Sequence, residues 1–192
     1  MHTLPQLLSK IAEFAARNPF PDSPRELYEP CDYILTLGGK RLRPALLLMG
    51  YELFRDDVER ALPAAWAIEL FHNFSLMHDD IMDAAPLRRG EPTVHAKWNA
   101  STGILSGDVM LIYAYRFLGL IDAEISPALV NGFSGMATEV CEGQQMDMNF
   151  ETRSDVSVEE YIRMIELKTA VLLGYAVSAG AFCARADWPA SE

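Results

Sequence analysis

The chain has 192 residues, half of them apolar, and carries 16 basic against 27 acidic side chains for a net charge of −11. That length and apolar share support one domain with a substantial core and exclude intrinsic disorder. The acidic balance excludes general nucleic-acid binding, which calls for a basic surface.

Helical periodicity runs through nearly the whole chain. Ser23-Pro24-Arg25-Glu26 predicts a helix start, with Ser23 as cap, Pro24 at the first helical position and Glu26 reaching back as a capping box. That helix is expected to reach about Leu37 and to stop at Gly38-Gly39. A second helix starts near Arg43-Pro44 and carries LLLMGYELF, and a third spans roughly Leu62 to Met82. Residues 84–92 (AAPLRRGEP) hold two prolines and a glycine and are expected to form a loop. Further helices are expected at about 101–120, 127–148 and 157–184, with Ser126-Pro127 as a cap pair and Ser157-Val158-Glu159-Glu160 as a capping box. No segment alternates at period two, so no sheet is expected. No repeat, low-complexity run or linker divides the chain, which reads as a single all-α domain over residues 1–192.

Cys31, Cys141 and Cys183 are widely spaced and odd in number. They form neither a CxxC metal site nor a disulfide framework, so a reducing cytoplasm is expected. The opening MHTLPQLLSK lacks the basic start and apolar run of a secretion signal. The longest apolar run, Ala170–Ala184, is short and rich in small residues for a membrane span, and reads as a buried helix.

The most informative stretch runs from His72 through Arg88 and Arg89. Asp79 and Asp83 stand at i,i+4, so on a helix their carboxylates share one face, with Asp80 beside them. Short acidic clusters are usually solvated, but like charges at a helix C-terminus oppose the dipole and cost stability. Carboxylates that cannot neutralise one another need a cation, and hard oxygen ligands favour Mg²⁺ when phosphate oxygens complete its shell. Arg88 and Arg89 offer planar forks suited to phosphate.

The basic residues gather in two places. In Gly38-Gly39-Lys40-Arg41-Leu42-Arg43-Pro44, two glycines free the backbone to approach a ligand and three cations can surround an anion. His72 lies two helical turns before Asp79 on the same face, turned toward that anion site. Gln144 and Asp147 place polar groups near the end of a helix, which implies a polar cavity or network. Lys168-Thr169 sits among IEL and AVLLG, where a lysine needs either an anion or a route to the surface. A diphosphate substrate fits these groups together.

GGKRLRP, HNFSLMHDDIMD, LRRG, GDVML, EGQQMD and ELKTA, in this order and spacing, resemble the trans-type polyprenyl (isoprenyl) diphosphate synthases over roughly Gly38 to Ala181. The resemblance implies an antiparallel helical bundle of the isoprenoid synthase type around a deep central cavity, and a homodimer. It implies that Asp79 and Asp83, supported by Asp80, bind Mg²⁺ bridged to the allylic diphosphate. Arg88 would hold the allylic diphosphate, and Arg89, Lys40, Arg43 and His72 the isopentenyl diphosphate. Lys168 and Thr169 would sit beside the allylic diphosphate and the developing cation, and Gln144 and Asp147 would form the GQxxD element, whose aspartate helps order Lys168 and neighbouring groups. Phe74 and Ser75, five and four positions before Asp79, with Phe71 a further turn away, would set product length; an aromatic at the first of these resembles the geranylgeranyl-type pattern. A twenty-carbon product is expected first and a fifteen-carbon product second.

The family's second aspartate-rich motif, downstream of the lysine–threonine pair, is absent from this sequence, whose last residues are RADWPASE. Three readings follow: a fragment of an ordinary synthase, a short subunit that needs a partner to complete the site, or a diphosphate-binding helical protein without turnover. An incomplete bundle is expected to expose apolar helix faces. A terpene-cyclase-like enzyme shares the aspartate motif but has no need of GGKRLRP and His72, which would serve a second diphosphate.

Overall fold

The computed structural model describes residues 1–184; RADWPASE lies outside the described residues. A helix not anticipated from the sequence, α1 (Leu4–Arg17), opens the chain behind a Thr3–Gln6 capping box and Pro5. The backbone N–H of His2 and its ring pair with the buried carboxylate of Glu52, which ties α1 down. Next come α2 (Arg25–Thr36), α3 (Leu42–Glu52), a 3-10 turn (Val58–Ala61) and α4 (Leu62–Met82). The 84–92 loop holds a two-residue hairpin, β1 (Leu87–Arg88) against β2 (Glu91–Pro92), a small sheet where none was expected. Then follow α5 (Val94–Lys97), α6 (Ala100–Leu118), α7 (Ser126–Phe150), α8 (Val158–Ile165) and α9 (Val171–Cys183). The all-α reading holds apart from that hairpin.

Three local expectations fail for identifiable reasons. Pro24, not Ser23, occupies the N-cap of α2, and no side-chain cap forms there, so the Ser23–Glu26 box is absent. Ser126 lies inside α7 after an Ile125 N-cap and spends its hydroxyl on the Leu118 carbonyl at the end of α6. The expected 157–184 helix does begin at the Ser157–Glu160 capping box. It is interrupted by a π-turn over Glu166–Ala170, which contains Lys168 and Thr169. Such turns are rare and concentrate at functional sites.

Side-chain burial organises the helices around α4. Its residues Ala64, Ala65, Ala67, Ile68, Leu70 and Phe71 are almost fully buried, and α6, α3 and α1 pack around it. Along α3, Gly180 of α9 comes so close that an added Cβ would collide with the Leu47 carbonyl oxygen and lie 2.8 Å from the Tyr51 nitrogen. By length and composition the helical stretch Val158–Cys183 could cross a bilayer, and it is longer than the Ala170–Ala184 run noted above. Its Leu172, Ala176, Ala179 and Gly180 are nevertheless buried against this bundle. On α8, Val158, Tyr161, Ile162 and Ile165 form an exposed apolar stripe at helical spacing.

Candidate active site

A cavity of about 220 Å³ opens between α4, α7 and the π-turn. Phe71, Phe74 and Ser75 from α4, with Val140 from α7 and Leu172 from α9, line its apolar part. Asp79, Gln144, Lys168 and Thr169 line its polar part, with Arg43 and His72 alongside. Most of the expected site residues therefore meet in one place, although they come from positions as far apart as 43 and 169.

Charge at the polar end is unevenly shared. Lys168 Nζ donates to Asp147 Oδ2 at 2.6 Å and lies 3.1 Å from Asp79 Oδ1. Burial pulls the Lys168 pKa down, but its bonds to Asp147 and Asp79 outweigh that and leave it raised. Asp83, the C-cap of α4, has its pKa raised by desolvation and by the neighbouring Asp79 charge. Among the described residues no three acid, histidine or cysteine side chains converge as a ready-made metal cluster. Asp80 differs from its expected place beside the metal: it is buried, and both its oxygens accept from Arg88, at 2.8 and 2.7 Å. Asp80 thus orients Arg88, whose Nη2 also lies 3.5 Å from Asp79.

A second, basic corner is built from the turn after α2. Gly38 and Gly39 adopt φ of 81° and 146°, and a Cβ on Gly39 would sit 2.9 Å from Arg89 Nη1. That close approach, which only glycine permits, seats the Arg89 guanidinium on the backbone. Arg41 and Arg89 themselves take left-handed φ of 44° and 57°. Such a conformation costs an L-residue about 1–2 kcal/mol and persists only where surroundings impose it. Arg43 Nη1 donates to His72 Nε2 at 3.1 Å. Burial first, and then Arg43, Arg89 and Arg88, pull the His72 pKa down to about 3. His72 is therefore a neutral acceptor that aims Arg43, with its own proton on Nδ1. Lys40 is exposed and makes no ion pair among the described residues.

Among the described residues, two buried donors lack protein partners: Arg43 Nε and Gln144 Nε2. A buried donor left unpaired is costly, so both point to an acceptor-rich ligand.

Three further residues here were not singled out by the sequence analysis: Glu69, Thr93 and Tyr33. Glu69 is buried beneath the basic corner; burial raises its pKa while Arg41, Asn73, Arg43 and Arg89 oppose the shift. Its i,i+3 spacing to His72 was the available signal. Thr93, fully buried, donates to the Ala85 carbonyl at 2.7 Å, and Tyr33 donates to Pro92 at 2.7 Å. Together these two pin both flanks of the arginine hairpin. Nothing in a linear pattern would have found those contacts.

The family model described as Polyprenyl synthetase matches residues 24–191. The chain belongs to the polyprenyl synthetase family. Among its relatives is a geranylgeranyl diphosphate synthase from Methanosarcina mazei, 44% identical over 171 residues, which cover 88% of this chain and 53% of that protein. A crystal structure of a geranylgeranyl pyrophosphate synthase superposes with a TM-score of 0.95 at 53% identity, over 97% of this chain and 57% of the other. The Geoglobus acetivorans geranylgeranyl pyrophosphate synthetase gives 0.90 at 37% identity, over 94% and 60%. The chain spans about half the length of the curated relatives it matches. The helical fold is shared with those structures; in this chain the motif residues Arg43, His72, Asp79, Gln144, Lys168 and Thr169 line one cavity.

Proposed function

We propose that this protein is a prenyltransferase that condenses isopentenyl diphosphate with an allylic diphosphate to give a short prenyl diphosphate. A twenty-carbon product is the first expectation and a fifteen-carbon product the second. The observation that carries the reading is a single cavity with ionic groups at one end and aromatic rings at the other, continuous with a basic corner whose Arg43 and His72 also line it. Two anionic binding places suit two diphosphates; a terpene-cyclase-like enzyme needs only one.

The donor set fits Mg²⁺, because Asp79 and Asp83 supply hard oxygens whose like charges are only partly offset by Lys168. When bound there, the ion neutralises charge on the leaving diphosphate. Lys168 and Thr169 would bind and orient that diphosphate, and Arg88, held by Asp80, would present a fork to it. These donors favour ionisation of the allylic C–O bond, in which the bonding pair leaves with the diphosphate. Phe71, Phe74 and Leu172 exclude water that would quench the cation. Arg43, Arg89, Lys40 and neutral His72 would hold isopentenyl diphosphate so that its double bond attacks the cation. The released diphosphate then takes the proton.

We further propose a cytoplasmic location and a homodimer. Three free cysteines support the first, and the exposed Ile104, Leu105 and Ile112 on α6 support the second.

A second reading, a diphosphate-binding part that needs further polypeptide to turn over, draws support from the half-length match and from the absence of a three-ligand metal cluster among the described residues. The test is incubation with Mg²⁺, labelled isopentenyl diphosphate and each allylic diphosphate of five to fifteen carbons. Incorporation is expected. Its absence, with allylic diphosphate still bound, would select the second reading; absence of both would overturn the two together.

A further inference from the structure

Gly143 stands on α7 one turn before Asp147 and three residues past Val140, buried against the π-turn. An added Cβ would collide with the Lys168 backbone nitrogen. It would also lie 2.8 Å from both the Leu167 carbonyl carbon and Lys168 Cα. All three atoms are main chain, so no side chain can swing aside to make room. Gly143 itself has no left-handed φ that would call for glycine. A glycine in mid-helix weakens the helix relative to alanine. Its use here therefore points to the contact it permits.

From that contact we infer that Gly143 is a positioning residue for Lys168: it lets α7 meet the π-turn backbone to backbone, which sets where the Lys168 ammonium stands. α7 holds the turn at two points one helical turn apart. Gly143 meets its main chain, and Asp147 meets its side chain at 2.6 Å. The ammonium also reaches across to Asp79 on α4. A side chain at 143 would push the widened turn off α7, and the ammonium would move with it. Position 135 on the same helix is the natural control, because a Cβ there meets nothing within 4 Å. The functional consequence rests on the proposed role of Lys168 in gripping diphosphate; the positional claim does not.

The chain has four lysines, Lys10, Lys40, Lys97 and Lys168, so a ¹³Cε-lysine NMR spectrum resolves Lys168 as one of a small set of peaks. Asp147→Asn marks where that peak goes when the side-chain grip is lost. Gly143→Ala is expected to move the Lys168 peak in the same direction. It should also weaken binding of inorganic pyrophosphate with Mg²⁺ about tenfold, the scale of one charge-assisted contact. Gly135→Ala should leave both unchanged. A folded Gly143→Ala protein with an unmoved Lys168 peak would overturn the inference. Should that variant fail to fold, the unaltered protein decides: a strong NOE between Gly143 Hα and the Lys168 amide is expected, and its absence overturns the contact. A moved peak with unchanged pyrophosphate affinity would keep the positioning role and remove Lys168 from the diphosphate site.

Discussion

At its aromatic end the cavity is walled by side chains with nothing left to satisfy. Phe71 is almost fully buried, packs edge-on against Phe133 at 5.2 Å and tilts against Phe74 at 5.7 Å. Phe74 in turn meets the His78 ring at 4.7 Å, and His78 Nε2 donates to the Ile104 carbonyl, wedged where Gly107 leaves room on α6. At the other end, Asp79 and Asp83 repel one another, and among the described residues Arg43 Nε and Gln144 Nε2 are buried without partners. The same helix, α4, builds both ends. One end contributes stability through buried apolar area; the other forgoes it and holds groups that a charged ligand would complete. Substitutions at the two ends should therefore separate folding from function.

The largest separation is expected from Asp79→Ala. Its removal should lower prenyl incorporation by about three orders of magnitude, as loss of a key electrostatic group does. Stability should change little, because removing Asp79 relieves its repulsion with Asp83 while Lys168 keeps Asp147. Equal losses of activity and melting temperature would collapse the distinction between the two ends. Phe71→Ala is the mirror experiment. Truncating so fully buried an aromatic should cost about 3–5 kcal/mol in denaturant unfolding. A loss below about 1 kcal/mol would mean that the aromatic end is not part of the core.

A smaller effect belongs to His72, which sits between the two ends. Its pKa falls from 6.5 in the free side chain to about 3 in the fold. Between those values the unfolded chain binds a proton that the folded protein refuses, so stability drops as pH falls through this window. The slope from this one group is at most about 1.4 kcal/mol per pH unit. Above pH 6.5 both states are neutral at His72, and the dependence vanishes. His72→Gln, which keeps an acceptor for Arg43, should flatten the curve relative to the unaltered protein. Parallel unfolding curves for the two proteins between pH 6.5 and 4 would show that His72 is not buried neutral.

How much of this could be read beforehand follows the same division. Helix α4 was legible from end to end because its apolar face repeats at helical spacing and its motif ends it. The Ser157 capping box was legible because both partners are local in sequence. What stayed hidden depends on contacts between distant segments. Pairing of Asp80 with Arg88 could not be told from a metal role, because both readings place an acid near an arginine. The π-turn at Lys168 could not be anticipated either, since ELKTA is ordinary helical sequence. Its widening is met by Gly143, twenty-five residues earlier in the chain. The left-handed Arg41 and Arg89 defeat residue-based expectation altogether, because arginine rarely adopts that conformation and the interlocked loops impose it.

The finest test of the comparison is product length, where both ends act on one substrate. Under the proposed function the ionic end would hold the diphosphate, and the growing chain would extend toward Phe74 and Phe71. Phe74 is half-buried, lines the cavity and leans on His78, whereas Phe71 is locked into the core by Phe133. Of the two, Phe74 can be shortened with less damage to folding. Phe74→Ala should open room at the floor and lengthen the main product by one five-carbon unit, with stability falling by less than Phe71→Ala costs. Ser75, one position nearer the aspartates, is already small, so Ser75→Phe should shorten the product by filling the same space from the side. An unchanged product distribution in Phe74→Ala would remove Phe74 as the floor and move the limit to the Phe71–Phe133 pair beneath it. That outcome would make the chain-length limit part of the folding core rather than a separate lining.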